Sequence, residues 1–393
     1  VIHFDGPPAA GGEEGQVRIA FLGDGSLNHV RRWAGYFHER AHEVLLLSFE
    51  SVAGCPFPAK RLAAHFPTKL LGYLSALGSI RRELESFDPD VVNALYLGGY
   101  GFVAARAGRR PLAVSSIGSD LLVDYPSSIV HRLQIREALR SADLVITDAE
   151  VLSSAAAAAG ADPTRILKAY MGIDERIFFP GECAPLERAG DRGRPRVVST
   201  RNLHPVYHVD LLVDAAALVR ERRDALFVVC GDGPERRRLE SRAARGPLAG
   251  SFVFPGRLDP PGIARELRAA DVYVSTSRSD STSVSLLEAM ACGAIPVVTD
   301  LPANREWITD RENGLIVPQD DPAALAGAII EALESPDFRA AAREINFLLI
   351  AERGRWRDNM ARVEEAFAGL AAARGRGGGS NREERGTKDR GEA

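Results

Sequence analysis

The sequence predicts two doubly wound, Rossmann-like α/β domains in tandem. Three observations lead there. Short apolar runs recur along most of the 393 residues and alternate with segments of helical periodicity, the pattern of a parallel sheet covered on both faces. The rhythm breaks once, at a charged, Gly- and Pro-rich stretch over 181–195, and then resumes. A chain of 393 residues also exceeds what one core usually carries and fits two domains.

The elements follow in order. VRIAFLG (17–23) reads as a buried strand, and the loop after it leads into a helix with Val30, Trp33, Ala34 and Phe37 on one face. VLLLSF (44–49), VVNALYL (91–97), LAVSSIG (112–118) and DLVITDA (143–149) are further strands, with helices over 65–86 and 128–141. Beyond the break, strands are expected at 196–200, 226–231, 251–256, 271–277, 294–299 and 314–318. The helices between them are placed at 208–222, 234–245, 260–269, 283–292, 302–308 and 321–334. A last helix near 352–371 carries Trp356, Met360, Val363 and Phe367 on one face. The domain reading is a flexible lead at 1–16, an N-terminal domain at 17–180, a linker at 181–195 and a C-terminal domain at 196–350. A helix at 351–371 returns toward the first domain, and a polar, disordered tail fills 372–393.

Composition narrows the function. Hydrophobic content of 45% and charged content of 26% are those of a globular protein in water, and a net charge of -4 gives no pull toward nucleic acid. The four cysteines, Cys55, Cys183, Cys230 and Cys292, form no Cys-x-x-Cys pair, which argues against structural zinc and a disulfide framework. No apolar run approaches the ~20 residues of a membrane span, and the acidic start VIHFDGPPAAGGEEGQ does not read as a secretory signal. The expectation is a cytoplasmic protein.

The stretch SRSDSTSVSLLEAMACG (277–293) carries the chemistry. It takes a strand into a helix through small polar residues, with Ser283 as N-cap candidate and the carboxylates Asp280 and Glu288 on either side. A helix start offers unpaired N–H groups and partial positive charge, which suits phosphate. The plainer alternative is a capped core helix.

D-x7-E followed by AMACG and IPVV resembles the signature of the retaining, GT-B fold glycosyltransferases of family 4. MGIDERIFFPG (171–181) resembles that family's inter-domain segment, and VVCGDGPERRRLE (228–240) its G-x-G-P element. The stretch from Leu301 and the helix bearing Trp356 also fit, so the likeness covers most of 17–371. It implies a nucleotide-sugar donor bound mainly by the C-terminal domain. Glu288 would hold the ribose hydroxyls, backbone amides at Ser283, Val284 and Ser285 the diphosphate or sugar, and Asp280 the transferred sugar. Arg201 would neutralise the leaving diphosphate. Arg257 would lie near the base, and Gly231 belongs to the G-x-G-P turn. Gly23 and Gly25 match a glycine loop near the diphosphate, and His29 matches a histidine soon after it. No metal is required by such chemistry, because an arginine and helix N–H groups stabilise charge that develops on the leaving phosphate.

Two positions depart from the family pattern. The lysine expected before the Asp of K-G-x-D is Tyr207, followed by His208, and the histidine of His-Gly-Ser-Asp is Ile117. Asp120 is then the catalytic candidate of the N-terminal domain. His29, Arg32 and Trp33 are candidates for the acceptor side. The segment 58–84 mixes basic and apolar residues, which suits either a peripheral membrane contact or an ordinary helix pair packed on the sheet, the second being favoured.

The expected function is retaining, metal-independent transfer from a nucleotide-diphosphate sugar, UDP-sugar favoured over GDP-sugar. The acceptor would belong to polysaccharide, glycolipid or secondary-metabolite glycosylation. The alternatives are a catalytically degenerate nucleotide-sugar-binding partner subunit and a nucleotide-sugar epimerase of the same fold.

Overall fold

The computed structural model describes residues 16–63, 69–181 and 193–386. The chain divides into two compact units. The first holds residues up to 148, 152–169 and those from 360 onward; the second holds 149–151 and 170–359.

The first unit is built on a seven-stranded, all-parallel sheet. Its strands are β1 (Arg18–Leu22), β2 (Glu43–Ser48), β3 (Ala59–Arg61), β4 (Val91–Leu95), β5 (Leu112–Ser115), β6 (Leu144–Thr147) and β7 (Ile166–Lys168). They lie in the order β3-β2-β1-β4-β5-β6-β7. The order reverses at the β1–β4 pair, where Ile19 is in register with Val91. Beyond Arg18, β1 is apolar and packed: Ile19, Phe21 and Leu22 are buried, as are Val30 and Phe37 of the helix Asn28–Glu39. β3 and β7, three residues each, escape a reading based on apolar runs because they are partly exposed at the sheet edges and carry AKR and ILK.

The second unit has a six-stranded parallel sheet: β8 (Arg196–Ser199), β9 (Leu226–Val229), β10 (Phe252–Val253), β11 (Val272–Ser275), β12 (Ile295–Thr299) and β13 (Leu315–Val317). The order is β10-β9-β8-β11-β12-β13, so this sheet reverses at β8–β11, with Val197 in register with Val272. The expected helices are present at Val209–Arg220, Arg236–Ala243, Pro260–Arg268, Val284–Cys292, Pro302–Arg305 and Pro322–Glu334. A helix over Pro336–Leu349 was not expected; only Ala342 and Asn346 are buried on it.

The unit boundary falls at Ala169/Tyr170, earlier than residue 180. Tyr170, Ile173 and Phe178 pack in the second core with Val198 and Leu286, and Ile173 exchanges backbone hydrogen bonds with Gly354 and Trp356, so this segment belongs to the second body. The last helix runs Trp356–Gly386 and therefore enters the segment that composition reads as a tail. Arg374 ties it to Asp88 and the Pro89 carbonyl of the first unit, while Phe367 stacks on Phe37 at 5.3 Å. The lead over 1–15, the stretch 182–192 with Cys183, and 387–393 lie outside the described residues. No described helix is long and apolar enough to cross a membrane.

Candidate functional site

In open parallel sheets, ligands bind beyond the carboxyl ends of the strands where the order reverses. In the second unit that place is the loop after β8 and the loop after β11, which carry Arg201 and Asp280. Arg201 is buried to 8% exposure. Its Nη2 donates to Asp280 Oδ2 at 2.6 Å, and its Nη1 to Ser283 Oγ and Ser285 Oγ, each at 2.8 Å. The guanidinium lies over the Tyr207 ring, 4.1 Å from its centroid. Burial works against its charge, but Asp280, Tyr273 and Tyr207 outweigh it, so Arg201 stays protonated. Burial pushes the Asp280 carboxyl up, and Arg201 with the hydrogen bonds around it offsets part of that.

The helix Val284–Cys292 starts where the sequence places it. Ser283 has the extended backbone of an N-cap and accepts from Leu286 N–H. The helix stops at Gly293, whose φ of 87° is the left-handed conformation that glycine adopts at no steric cost. Ser285 also accepts from the hydroxyl of Tyr273, at 2.9 Å, a fully buried residue of β11. Val284 and Ser285 head the helix, and Glu288 stands on its second turn, partly exposed.

The Arg201 loop is seated by backbone against backbone. A Cβ on Gly231 would lie 2.4 Å from the Arg201 carbonyl oxygen, and one on Gly233 2.4 Å from that of Leu203. Leu203 N–H donates to the Asp232 carbonyl, and Glu235 N–H to the Leu203 carbonyl. The G-x-G-P turn is thus the support on which the Arg201 loop rests. Arg257 is exposed on the loop before the helix Pro260–Arg268.

Beside Tyr207 lies a polar group that sequence reading found only in part. His208 sits at φ 48°, and its Nε2 is 3.0 Å from Arg278, which pairs with Asp320 at 2.7 Å. Arg278 N–H donates to the Val206 carbonyl, and Thr276 Oγ1 donates to the Tyr207 and His208 carbonyls. The loops after β8 and β11 are therefore fastened together. Arg278, Tyr273 and Asp320 carried no sequence signal, since each is an ordinary residue for its element.

In the first unit the loop after β1 carries Gly23 and Gly25, whose N–H groups donate to the Leu47 carbonyl and to Ser48 Oγ. His29 follows on the first turn of the next helix. Its Nε2 is buried without a hydrogen-bond partner, and burial lowers its pKa while Asp24 opposes the shift, so the ring is neutral at pH 7. Arg32 is half-buried. Trp33 departs from its acceptor-side reading: it is buried on the core face of that helix with Val30, Ala34 and Phe37.

Asp120 also departs from its reading. It is 0% exposed. Its carboxylate accepts from Ser116 Oγ at 2.6 Å, Leu97 N–H at 3.1 Å and Leu121 N–H at 3.0 Å. Burial pushes its pKa up, against these hydrogen bonds. The side chain ties the loop after β5 to the loop after β4, and a carboxylate so enclosed positions backbone rather than meeting a substrate.

Comparison with known proteins places this architecture. Residues 187–348 match the family model for glycosyl transferases group 1, and residues 18–149 that for a glycosyl transferase 4-like domain. The chain is a group 1 glycosyltransferase of the GT-B fold. It is similar to the D-inositol 3-phosphate glycosyltransferase of Frankia alni, 34% identical over 192 residues, which are 46% of this chain and 47% of that protein. It is 37% identical over 131 residues to the phosphatidyl-myo-inositol mannosyltransferase of Mycolicibacterium smegmatis, 33% of each chain. The chain spans about a third to a half of the length of these curated relatives. Among solved structures, HepE of Anabaena in complex with UDP and glucose superposes with a TM-score of 0.76 at 19% identity, over 90% of this chain and 100% of that one. Sucrose-phosphate synthase from Thermosynechococcus elongatus gives 0.76 at 18% identity, over 90% and 99%. At such identities these two bear on the fold of the group 1 glycosyltransferase alone.

Proposed function

We propose that this group 1 glycosyltransferase moves a sugar from a nucleoside-diphosphate sugar to an acceptor with retention of configuration and without a metal. The observation that carries the reading is the Arg201 guanidinium, buried at the sheet reversal and forked onto Asp280, Ser283 and Ser285 at the start of the helix Val284–Cys292. A diphosphate seated at that helix start meets its N–H groups and the Arg201 charge. Both stabilise a leaving phosphate more as negative charge grows on it. Asp280 is then the group for the transferred sugar and Glu288 the one for the ribose diol. The acceptor proton leaves on the departing phosphate, so no base from the first unit is needed.

UDP is the favoured nucleotide, in line with the UDP bound in the Anabaena relative. The names of the curated relatives favour an inositol-containing acceptor. Tyr207 in place of a lysine supports the second reading, a partner that binds nucleotide-sugar without turnover, because the site then holds one cation fewer at the diphosphate.

Thermal shift with UDP, GDP, ADP and TDP, followed by hydrolysis of the matching sugar nucleotides, tests both. A ligand at a hundred times its dissociation constant adds about 2.7 kcal/mol of stability. A shift with one nucleotide and slow release of its sugar supports the transferase, and a shift with no turnover in the presence of acceptor supports the binding partner. Glu288→Gln should weaken donor binding; unchanged kinetics in that variant would remove the ribose assignment.

A further inference from the structure

Ser285, on the first turn of the helix Val284–Cys292, carries a hydroxyl proton that no group among the described residues takes up. Its Oγ accepts from Arg201 Nη1 at 2.8 Å and from the Tyr273 hydroxyl at 2.9 Å, which fills both lone pairs of a serine oxygen. The oxygen within reach of its own O–H is Ser283 Oγ, at 3.1 Å. That oxygen is filled as well, by Arg201 Nη1 at 2.8 Å and by Leu286 N–H at 3.4 Å, while the Ser283 proton serves the Asp280 carboxylate. The Ser285 O–H is therefore an unspent donor, on a residue that is partly exposed. Arg201 holds a second one: its Nε is buried without a hydrogen-bond partner, in a side chain 9% exposed.

Tyr273 gives the Ser285 proton its direction. The residue is fully buried in β11 and packs in the second core with Leu286 and Leu287. Burial pushes its pKa up, outweighing the nearby Arg201 charge, so its hydroxyl stays a donor. With a donor seated on each lone pair, the Ser285 O–H is left to point away from both. A ligand that meets unspent donors beside a helix start has to bring several acceptor oxygens and negative charge, and a diphosphate brings both. We propose that the Ser285 hydroxyl donates to a phosphate oxygen of the nucleoside-diphosphate sugar, with Tyr273 as the positioning residue that aims it. This role rests on the donor reading above and deepens it. Where Tyr207 leaves the diphosphate one cation short, a neutral hydroxyl supplies a donor instead.

Titration calorimetry with UDP and with uridine tests this on S285A, S285T, Y273F and S285A/Y273F. Should GDP, ADP or TDP be the diphosphate that binds the wild type, it and its nucleoside take their place. S285A should bind UDP about tenfold more weakly or worse, the loss of one hydrogen bond to a charged group, and uridine as the wild type does. S285T keeps the hydroxyl and should bind UDP as the wild type does. Y273F leaves the contact between Arg201 and Ser285 in place and removes the group that aims the hydroxyl. It should weaken UDP binding by a smaller factor than S285A, and add no loss in S285A/Y273F. If Ser285 only accepts from Arg201, Y273F binds UDP as the wild type does, and that result overturns the proposal. Wild-type affinity in S285A, an equal loss for UDP and uridine, or single losses that simply add also overturn it. Thermal transitions check that each variant folds. Should Y273F not fold, S285A on an R201A background decides: a further loss of UDP affinity supports donation by Ser285 itself, and no further loss overturns it. A wild type that binds none of the four diphosphates removes the donor reading and this role with it. A wild type that binds one of them, with S285A unchanged, removes this role alone.

Discussion

Arg201 and Asp280, 79 residues apart in the chain, meet at 2.6 Å at the point where the second sheet reverses its strand order. The pair is nearly buried, and Ser283 and Ser285 take the other arm of the guanidinium. That fork dictates what a conservative change does. Arg201→Lys keeps the charge but cannot reach three acceptors in one plane. Turnover should fall by about 10²–10³, the cost of removing one group that stabilises developing charge. Initial rates at saturating donor would show it, with the thermal transition as control for the seating of Asp280. A rate within threefold of wild type would mean that Arg201 serves only to order the loop.

Tyr207 holds the place where a second cation is expected, and the Arg201 guanidinium lies over its ring, 4.1 Å from the centroid. Tyr207→Lys gives up a cation–π contact of about 0.5–2 kcal/mol but adds a charge at the phosphate end. UDP should bind several-fold tighter and uridine no tighter, with the gain shrinking as salt rises. Titration calorimetry with both ligands separates the two. Equal gains for UDP and uridine would place the new charge away from the diphosphate.

Gly231 is where the backbones of two loops touch. A methyl group there would be 2.4 Å from the Arg201 carbonyl oxygen, and that oxygen belongs to main chain that cannot swing aside. Gly231→Ala should push the Arg201 loop out of register with Ser283 and weaken UDP binding at least tenfold while the core stays folded. Gly327→Ala, in the exposed part of a helix with open space around its Cα, is the control and should leave UDP binding unchanged.

Glu364 on the last helix gathers His42, Arg40 and Tyr36. His42 Nδ1 accepts from Val17 N–H, so its Nε2 carries the proton donated to Glu364 at 2.8 Å. Burial pushes the Glu364 carboxyl up, but the hydrogen bonds from Arg40, His42 and Tyr36 outweigh it and hold the pKa below its ordinary 4.5. A depressed carboxyl contributes stability above its unfolded pKa and loses it as pH falls through the folded value. Glu364→Gln should therefore cost about 1 kcal/mol near neutrality. The gap to wild type should be full above about pH 4.5 and close as the pH drops below it. Urea melts at several pH values would read this; a gap that widens in acid would give the opposite sign.

Much of the fold was legible because its signals are local. An apolar run between turns is a buried strand whatever lies beside it, and Ser283 before Val284 caps a helix through its own side chain. β3 and β7 were missed because partly exposed edge strands of three residues carry no such run. Asp120 and Trp33 were misread for a different reason. Their residue types suit a site, and only burial assigns one to joining two loops and the other to the core.

The sequence by itself determined the alternation of strands and helices and the helix start at Ser283, because each follows from contacts within a few residues. Tertiary structure alone decided that Arg201 forks onto Asp280, that Tyr207 lies beneath it, and that the apolar side chains of Ile129 and Leu133 face outward. Those outcomes depend on which strands become neighbours and which helix faces meet the sheet. Chain order does not encode them locally, since they are set by the packing of the whole domain.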